Sequence, residues 1–273
     1  MSPKFQKSFT LIELLVVVSI IGLLASIVLV GLSGAEDEAN LKKTMEYAHS
    51  LRVSLGADLM GEWKLDEEII PAQDTSGNDN NCSFLPVGSE PVYTADGVFG
   101  RALEFNGANY IDCGASTNLN ITDEVTVELW VKMTYVYNKG YYAFSKSGSH
   151  TIYVYSEPSW NTGLKDAYQF AVVSGGVAYY SNAYAMNQFG KWHHVVGTAK
   201  TGDKVKVYID GKLRANRDTL PGPIDTNANS LRIGNSTMPL VIDEARIYNR
   251  AMSSAEIKQQ YVEGLLKHGL VLN

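Results

Sequence analysis

The chain has 273 residues, 45% of them hydrophobic, which leaves room for one substantial domain with an appendage or for two small domains. Its formal charge is −6, and no run of Lys and Arg is long enough to follow a phosphate backbone, so nucleic acid is not an expected partner. The two cysteines, Cys82 and Cys113, fit neither a zinc site nor a CxxC redox motif, and sixteen Tyr against eight Phe suit half-exposed sheet faces where rings are buried and hydroxyls stay wet.

In chain order, the first predicted element is a membrane span. Residues 14–35 carry no charge, and 22 helical residues cover roughly 33 Å at about 1.5 Å each, enough for a bilayer core of about 30 Å. Lys4 and Lys7 precede it and Glu36, Asp37 and Glu38 follow it, so the positive-inside bias puts the N-terminus in the cytoplasm and the rest of the chain outside. A secretory signal peptide would have a shorter apolar core and an A-x-A-like cut site, neither of which is obvious. Glu13, just inside the apolar run, either snorkels to the inner interface or has a use.

The order Lys7-Ser8-Phe9-Thr10-Leu11-Ile12-Glu13-Leu14 closely resembles the processing site of type IV pilins and type II secretion pseudopilins. That resemblance implies a leader, residues 1–8, removed by prepilin peptidase between Ser8 and Phe9, methylation of the new N-terminus, and an assembly role for Glu13 as fifth residue of the mature chain. The physical logic is charge compensation: cleavage creates a positive α-amino group in an apolar packing zone, and a carboxylate from a neighbouring pilin subunit offsets it. The chain departs from the family in carrying Ser8 where Gly is usual. Beyond the span, Leu41, Met45, Ala48, Leu51, Leu55 and Leu59 recur at three- and four-residue steps, predicting an amphipathic helix that continues the span into one rod over 9–60, with Gly31, Ser33 and Gly34 as its weak point.

After Met60 the pattern becomes short alternating runs broken by Gly, Asn and Asp, the texture of an all-β domain. "VTVELWVKM" puts Val125, Val127, Leu129, Val131 and Met133 on one face and Thr126, Glu128, Trp130 and Lys132 on the other. "KVKVYIDGKL" alternates likewise through Val205, Val207 and Ile209 and turns at Asp210-Gly211, a hairpin signal. Ser253-Ser254-Ala255-Glu256 reads as a capping box that opens a closing helix with Ile257, Tyr261 and Leu265 on one face. The predicted fold is therefore mainly β: a long N-terminal helix, then a two-sheet antiparallel jelly-roll sandwich with a short C-terminal helix.

The ordered set "GEWKLDE", "DTSGNDNN", "GVFGRALEFNGANYIDCG", "EVTVELWVK", "KWHHVVGTAK", "VKVYIDGKLRA", "LRIGNS" and "VIDEARIYNRAMSSAEIKQQY" resembles a LamG-like jelly roll of the concanavalin A-like lectin/glucanase superfamily, over 61–263, leaving 264–273 as a tail. Glucanases on this superfold carry an E-x-D-x-x-E pattern, which is missing. A retaining pair needs carboxyl groups about 5–5.5 Å apart, whereas Glu124 and Glu128 share a strand face about 13 Å apart and the adjacent Asp243 and Glu244 point to opposite faces. His193 and His194, as strand neighbours, cannot chelate; the expectation is that Trp192 and alternate residues fill the core while one imidazole is exposed. The chain is expected not to be an enzyme.

Calcium, which takes six to eight oxygen ligands, is the one expected cofactor, as a structural ion. The Asp-rich turn offers Asp74 and Asn78, and the resemblance adds Asp243 of the late "IDE"; the competing reading is that these residues simply form turns. A glycan site needs aromatic platforms, and Tyr135, Tyr137, Tyr153, Tyr155 and Trp160, together with Tyr180 and Tyr184, supply candidates. Tyr153 and Tyr155 alternate with Ile152 and Val154, so they lie on the outer sheet surface if the aliphatic side faces the core. Outside the cell Cys82 and Cys113 can pair as a disulfide or stay as buried thiols.

The leading expectation is a type IV pilin-like subunit, held by a single pass in the cytoplasmic membrane and then in a pilus or on the cell surface. Its partners would be prepilin peptidase, other pilin subunits, the membrane and surface glycans. The alternatives are a pseudopilin of a secretion or DNA-uptake system with a non-catalytic head, and a membrane-anchored glycan hydrolase.

Overall fold

The chain divides into two units, Met1–Arg52 and Val53–Asn273. The computed structural model describes residues 55–67, 71–134, 139–159, 163–186, 189–234 and 239–267, all in the second unit. Ser8, Phe9, Glu13 and almost all of the predicted rod therefore lie outside the described residues.

Fifteen strands, numbered β1 to β15 along the chain, form two antiparallel sheets among the described residues. The first sheet runs β13 (Lys212–Thr219), β12 (Lys204–Ile209), β11 (Trp192–Lys200), β6 (Glu124–Met133), β15 (Pro239–Tyr248), β4 (Ala102–Asn106) and β3 (Val92–Thr94), with β1 (Leu59–Trp63) also paired to β15. The second runs β10 (Val177–Met186), β9 (Gly163–Ser174), β8 (His150–Ser159), β7 (Lys139–Lys146), β14 (Leu231–Ile233), β5 (Tyr110–Asp112) and β2 (Ser83–Leu85). Leu59, the last apolar position of the predicted helical period, instead opens β1 opposite Tyr248. An extended partner strand with open hydrogen bonds outcompetes the end of a weakly apolar helix.

Alternation decides what each strand buries. On β6, Val125, Val127, Leu129, Val131 and Met133 are 1% exposed or less and face the sandwich interior, where they belong to one cluster with Ile152 and Val154 of β8 and Tyr168, Phe170 and Val172 of β9. Each such side chain contributes about 1.5–3 kcal/mol by leaving water. Asp210 and Gly211 take the positive φ values, 53° and 70°, that a two-residue hairpin between β12 and β13 requires, with Ile209 opposite Lys212. Cys82 and Cys113 are joined as a disulfide across 31 positions.

The closing helix, α1 (Ser254–Lys267), starts on the expected capping box. Ser253 N–H donates to Glu256 Oε2 (2.7 Å) and Glu256 N–H donates back to Ser253 Oγ (3.3 Å). Its apolar side lies on the outer face of the first sheet: Tyr261 stacks on Trp130 with ring centroids 5.8 Å apart, and Leu265 packs beside them. Gly264 is where helix and indole approach most closely, since a Cβ there would run into the Trp130 ring.

That helix overturns one expectation. Trp192 is not a core residue but lies outside beside Lys132, while His193 points inward next to Tyr168, and His194 is fully buried between Trp130 and Tyr261. Neither imidazole is exposed, because α1 covers the face that alternation alone would leave to solvent.

Candidate functional site

The outer face of the second sheet carries a pocket of about 330 Å³ lined by Tyr153, Tyr155, Ala167, Gln169, Asn182 and Tyr184. It follows from alternation on three neighbouring strands. Ile152 and Val154 on β8, Tyr168 and Phe170 on β9, and Ser181 and Ala183 on β10 point inward, so the residues between them point out. Cross-strand register then sets two rows. Tyr153, Gln169 and Asn182 lie side by side, and one step on Tyr155, Ala167 and Tyr184 do the same. Tyr153 is held edge-on against Tyr142 with centroids 5.1 Å apart, and Gln169 Nε2 donates to Asn182 Oδ1 at 2.7 Å. Tyr180 lies on the same face, 40% exposed. Of the residues expected in a glycan site, Tyr153 and Tyr155 line this pocket, while Tyr135, Tyr137 and Trp160 lie outside the described residues. Gln169 and Asn182 escaped the sequence reading, because amides on a strand look like ordinary solvated positions until register sets them together.

The outer face of the first sheet has the opposite character. Register aligns Glu128 of β6, Arg246 of β15 and Glu62 of β1 in one row, and the guanidinium donates to both carboxylates at 2.8 Å. Glu244 joins the same guanidinium, and His194 Nε2 lies 3.6 Å from Glu128 Oε1. Burial alone would push Glu128 and Glu62 up. His194 and Arg246 outweigh it at Glu128, and Arg246 with the Thr75 hydroxyl does so at Glu62, so both stay below the usual carboxylate range. Glu124 is bound to Lys200 at 2.5 Å. A carboxylate locked to a guanidinium is poorly placed to attack a sugar or protonate a leaving group.

The residues expected to hold calcium separate in the structure. Asp74 gives Oδ1 to the N–H groups of Glu62 and Ser76 and Oδ2 to that of Asn80, while the Asn78 amide donates to the Leu59 carbonyl and Ser76 Oγ. This is how an Asx residue organises a turn. Asp243 has a different environment. Oδ2 accepts from Val98 and Phe99 N–H at 2.8 and 3.0 Å, whereas Oδ1 is buried without a hydrogen bond. Burial, reinforced by the negative charge of Asp66, pushes this carboxyl up to about 8. A buried, unpaired carboxylate oxygen beside a second carboxylate fits a hard cation. Among the described residues no three His, Cys, Asp or Glu side chains surround a common centre, so a cation at Asp243 would draw further ligands from backbone oxygens.

Comparison with known proteins follows from this architecture. A two-sheet antiparallel sandwich with one carpeted face and one aromatic face is the frame of a lectin-like binding module. The chain belongs to the concanavalin A-like lectin/glucanases superfamily, whose family model matches residues 105–258. Residues 3–29 match a second model, the prokaryotic N-terminal methylation motif, as the pilin-like signature at Ser8, Phe9 and Glu13 implied. No curated protein matches the chain.

Three solved structures illustrate the shared fold. Domain 4 of AbnA, a GH43 extracellular arabinanase from Geobacillus stearothermophilus in complex with arabinotriose, is 23% identical, with a TM-score of 0.55 over 74% of this chain and 97% of that one. The binding domain of Paraclostridial Mosquitocidal Protein 1 is 15% identical, with a TM-score of 0.59 over 76% of this chain and 52% of that one. The ligand binding domain of Botulinum neurotoxin serotype D, in complex with N-acetylneuraminic acid, is 14% identical, with a TM-score of 0.61 over 79% and 53%. The chain thus spans about half the length of the toxin domains, and at these identities the likeness concerns the fold alone. Among the described residues no helix is long and apolar enough to cross a membrane.

Proposed function

We propose that this chain is a type IV pilin-like structural and adhesive subunit that displays a non-catalytic, glycan-binding head outside the cell. The observation that carries the reading is the pairing on one chain of the methylation motif at residues 3–29 with the lectin-like domain at 105–258. Prepilin peptidase cuts between Ser8 and Phe9, residues 14–35 hold the subunit in the cytoplasmic membrane, and Glu13 compensates the new N-terminal charge of a neighbouring subunit during assembly. The head meets glycans through the pocket of Tyr153, Tyr155 and Tyr184. The buried, guanidinium-locked carboxylates of the other sheet support the non-catalytic part. The same reading assigns the expected calcium to Asp243, with Asp66 beside it, where the ion would neutralise crowded carboxylates and fix the loop at Val98 and Phe99.

The test is the intact mass and N-terminal sequence of the protein recovered from cells with and without prepilin peptidase. A chain that begins at Phe9, one methyl group heavier, only when the peptidase is present supports the pilin reading; a chain that begins at Met1 in both overturns it. Abundance of the chain in sheared filaments separates a pilus subunit from a pseudopilin.

A further inference from the structure

A separate cavity, of about 200 Å³, lies where β7 ends and β14 begins, lined by Ser145, Ser147, Asn229, Ser230 and Arg232. Register sets Asp112 of β5, Arg232, Ser145 and Thr151 in one cross-strand row. Ser145 is the most buried of the five lining residues, 5% exposed, with Oγ 3.2 Å from Thr151 Oγ1. The walls are tied together, because the side-chain amides of Asn227 and Asn229 both donate to the Ser147 carbonyl at 2.9 Å. Gly148, at a φ of 75°, permits that approach, since a Cβ there would come within 3.0 Å of the Asn227 amide nitrogen. The Asn229 amide is thus committed to the wall, and the serine hydroxyls and the guanidinium are the donors left for a ligand.

Arg232 is held on one edge and one face. Its Nε donates to Asp112 Oδ2 at 3.2 Å, and its guanidinium carbon lies 4.7 Å from the centroid of the Tyr110 ring. That leaves Nη1 and Nη2, the pair that makes forked hydrogen bonds to an oxyanion. The other oxygen of Asp112 accepts from Gly114 N–H at 3.0 Å, and among the described residues no carboxylate lines the cavity. A second cation stands behind the wall. Lys146, between Ser145 and Ser147, turns the other way, is fully buried, and ends with Nζ donating to the Asn229 carbonyl at 2.6 Å. Burial lowers its pKa, and no nearby carboxylate offsets the effect. A buried ammonium without a counter-charge leaves positive potential that water screens poorly.

The structure assigns this cavity to an oxyanion: a carboxylate, sulfate or phosphate group, free or carried on a saccharide. The Arg232 fork and the hydroxyls of Ser145, Ser147 and Ser230 hold it, and the Lys146 charge attracts it from behind. This assignment stands beside the glycan-binding reading and does not depend on it.

The experiment titrates the full chain, in micelles of an uncharged detergent, with sulfate, phosphate, methyl glucuronide and methyl glucoside by calorimetry. Exchange against chloride holds ionic strength constant, so that general screening cancels. At least one oxyanion binds saturably, and methyl glucoside, which lacks the carboxylate, binds at least tenfold more weakly. Binding of the inorganic ions shows that the free group suffices; binding of the glucuronide alone shows that the sugar ring contributes. Arg232→Gln removes the charge and leaves Asp112 its bond from Gly114, and Ser147→Leu narrows the cavity from an exposed position. Each weakens oxyanion binding at least tenfold with an unchanged melting temperature, and Lys146→Met, which removes the buried charge, weakens it at least threefold. Should Arg232→Gln fail to fold, Ser147→Leu decides. Absence of saturable oxyanion binding, equal binding of methyl glucoside, or binding that Arg232→Gln and Ser147→Leu leave intact overturns the assignment.

Discussion

The two outer faces of this sandwich are built on the same alternation and end up chemically opposite. On the first sheet, α1 lies across Trp130 and His194, and beside them runs a row of Glu128, Arg246 and Glu62 held by one guanidinium. On the second, Tyr155, Ala167 and Tyr184 form one outward row beside the Gln169–Asn182 pair. The carboxylates Glu62, Glu128 and Glu244 on the first face share one guanidinium; the second face sets aromatic rings and amides alongside an Asp112–Arg232 ion pair. The difference teaches that what a sheet face can do depends on what covers it as much as on which residues it carries.

The comparison can be broken hardest at Arg246. Arg246→Met leaves Glu62, Glu128 and Glu244 without their shared cation, and the expected loss is about 3–5 kcal/mol of stability, read in a denaturant melt. Acid comes next. His150 is 1% exposed, and its burial, with Lys146 nearby, lowers its pKa to about 3. The unfolded chain, with an ordinary value near 6.5, therefore takes up a proton that the folded chain refuses. His150 on its own should cost about 1.4 kcal/mol of stability for each pH unit below about 6.5, until its folded value is reached, while Asp243, held up to about 8 in the fold, takes up its proton there first and offsets that loss down to the ordinary carboxylate range. Glu62 and Glu128, held low in the fold, add to the loss as pH drops below about 4.5.

Tyr261→Ala takes away the ring stacked on Trp130 and His194, at an expected cost of about 2 kcal/mol, and proteolysis should then reach α1 first. Adding calcium should raise the melting temperature of the wild-type chain and not of Asp243→Asn, which keeps an acceptor for Val98 and Phe99 but loses the charge. The smallest effect belongs to the open face. Tyr184 is 62% exposed, so Tyr184→Ala should change stability by no more than about 0.5 kcal/mol.

Much of this contrast was readable before the structure, and the unread part has a common cause. Period-two alternation placed Val125 to Met133 inside and Tyr153 and Tyr155 outside, and local chemistry placed the Asp210-Gly211 turn and the Ser253–Glu256 capping box, because each depends on neighbours in sequence. Glu62 and Arg246 are 184 positions apart, and Gln169 meets Asn182 only through strand register, so no local pattern announces either pair. Trp192 and His193 were assigned to the wrong faces of β11: His193 faces inward beside Tyr168, and the Trp192–His194 face is the one on which a helix that begins sixty positions after His194 lies. Asp74 could be read as a turn former or a metal ligand because turns and calcium loops draw on the same oxygen-rich residues, and its three backbone donors across 18 positions of chain are visible only in the fold.

The disulfide between Cys82 and Cys113 has a mechanical consequence. When the domain is stretched from the Leu59 end until it unravels, the residues between the two sulfurs cannot extend, and a segment of 31 positions keeps roughly 100–110 Å of contour length out of the extended chain. Single-molecule pulling should show a final unfolded length shorter by that amount under oxidising conditions than after reduction, so the covalent link would act as a stop that limits how far a tethered head pays out under tension.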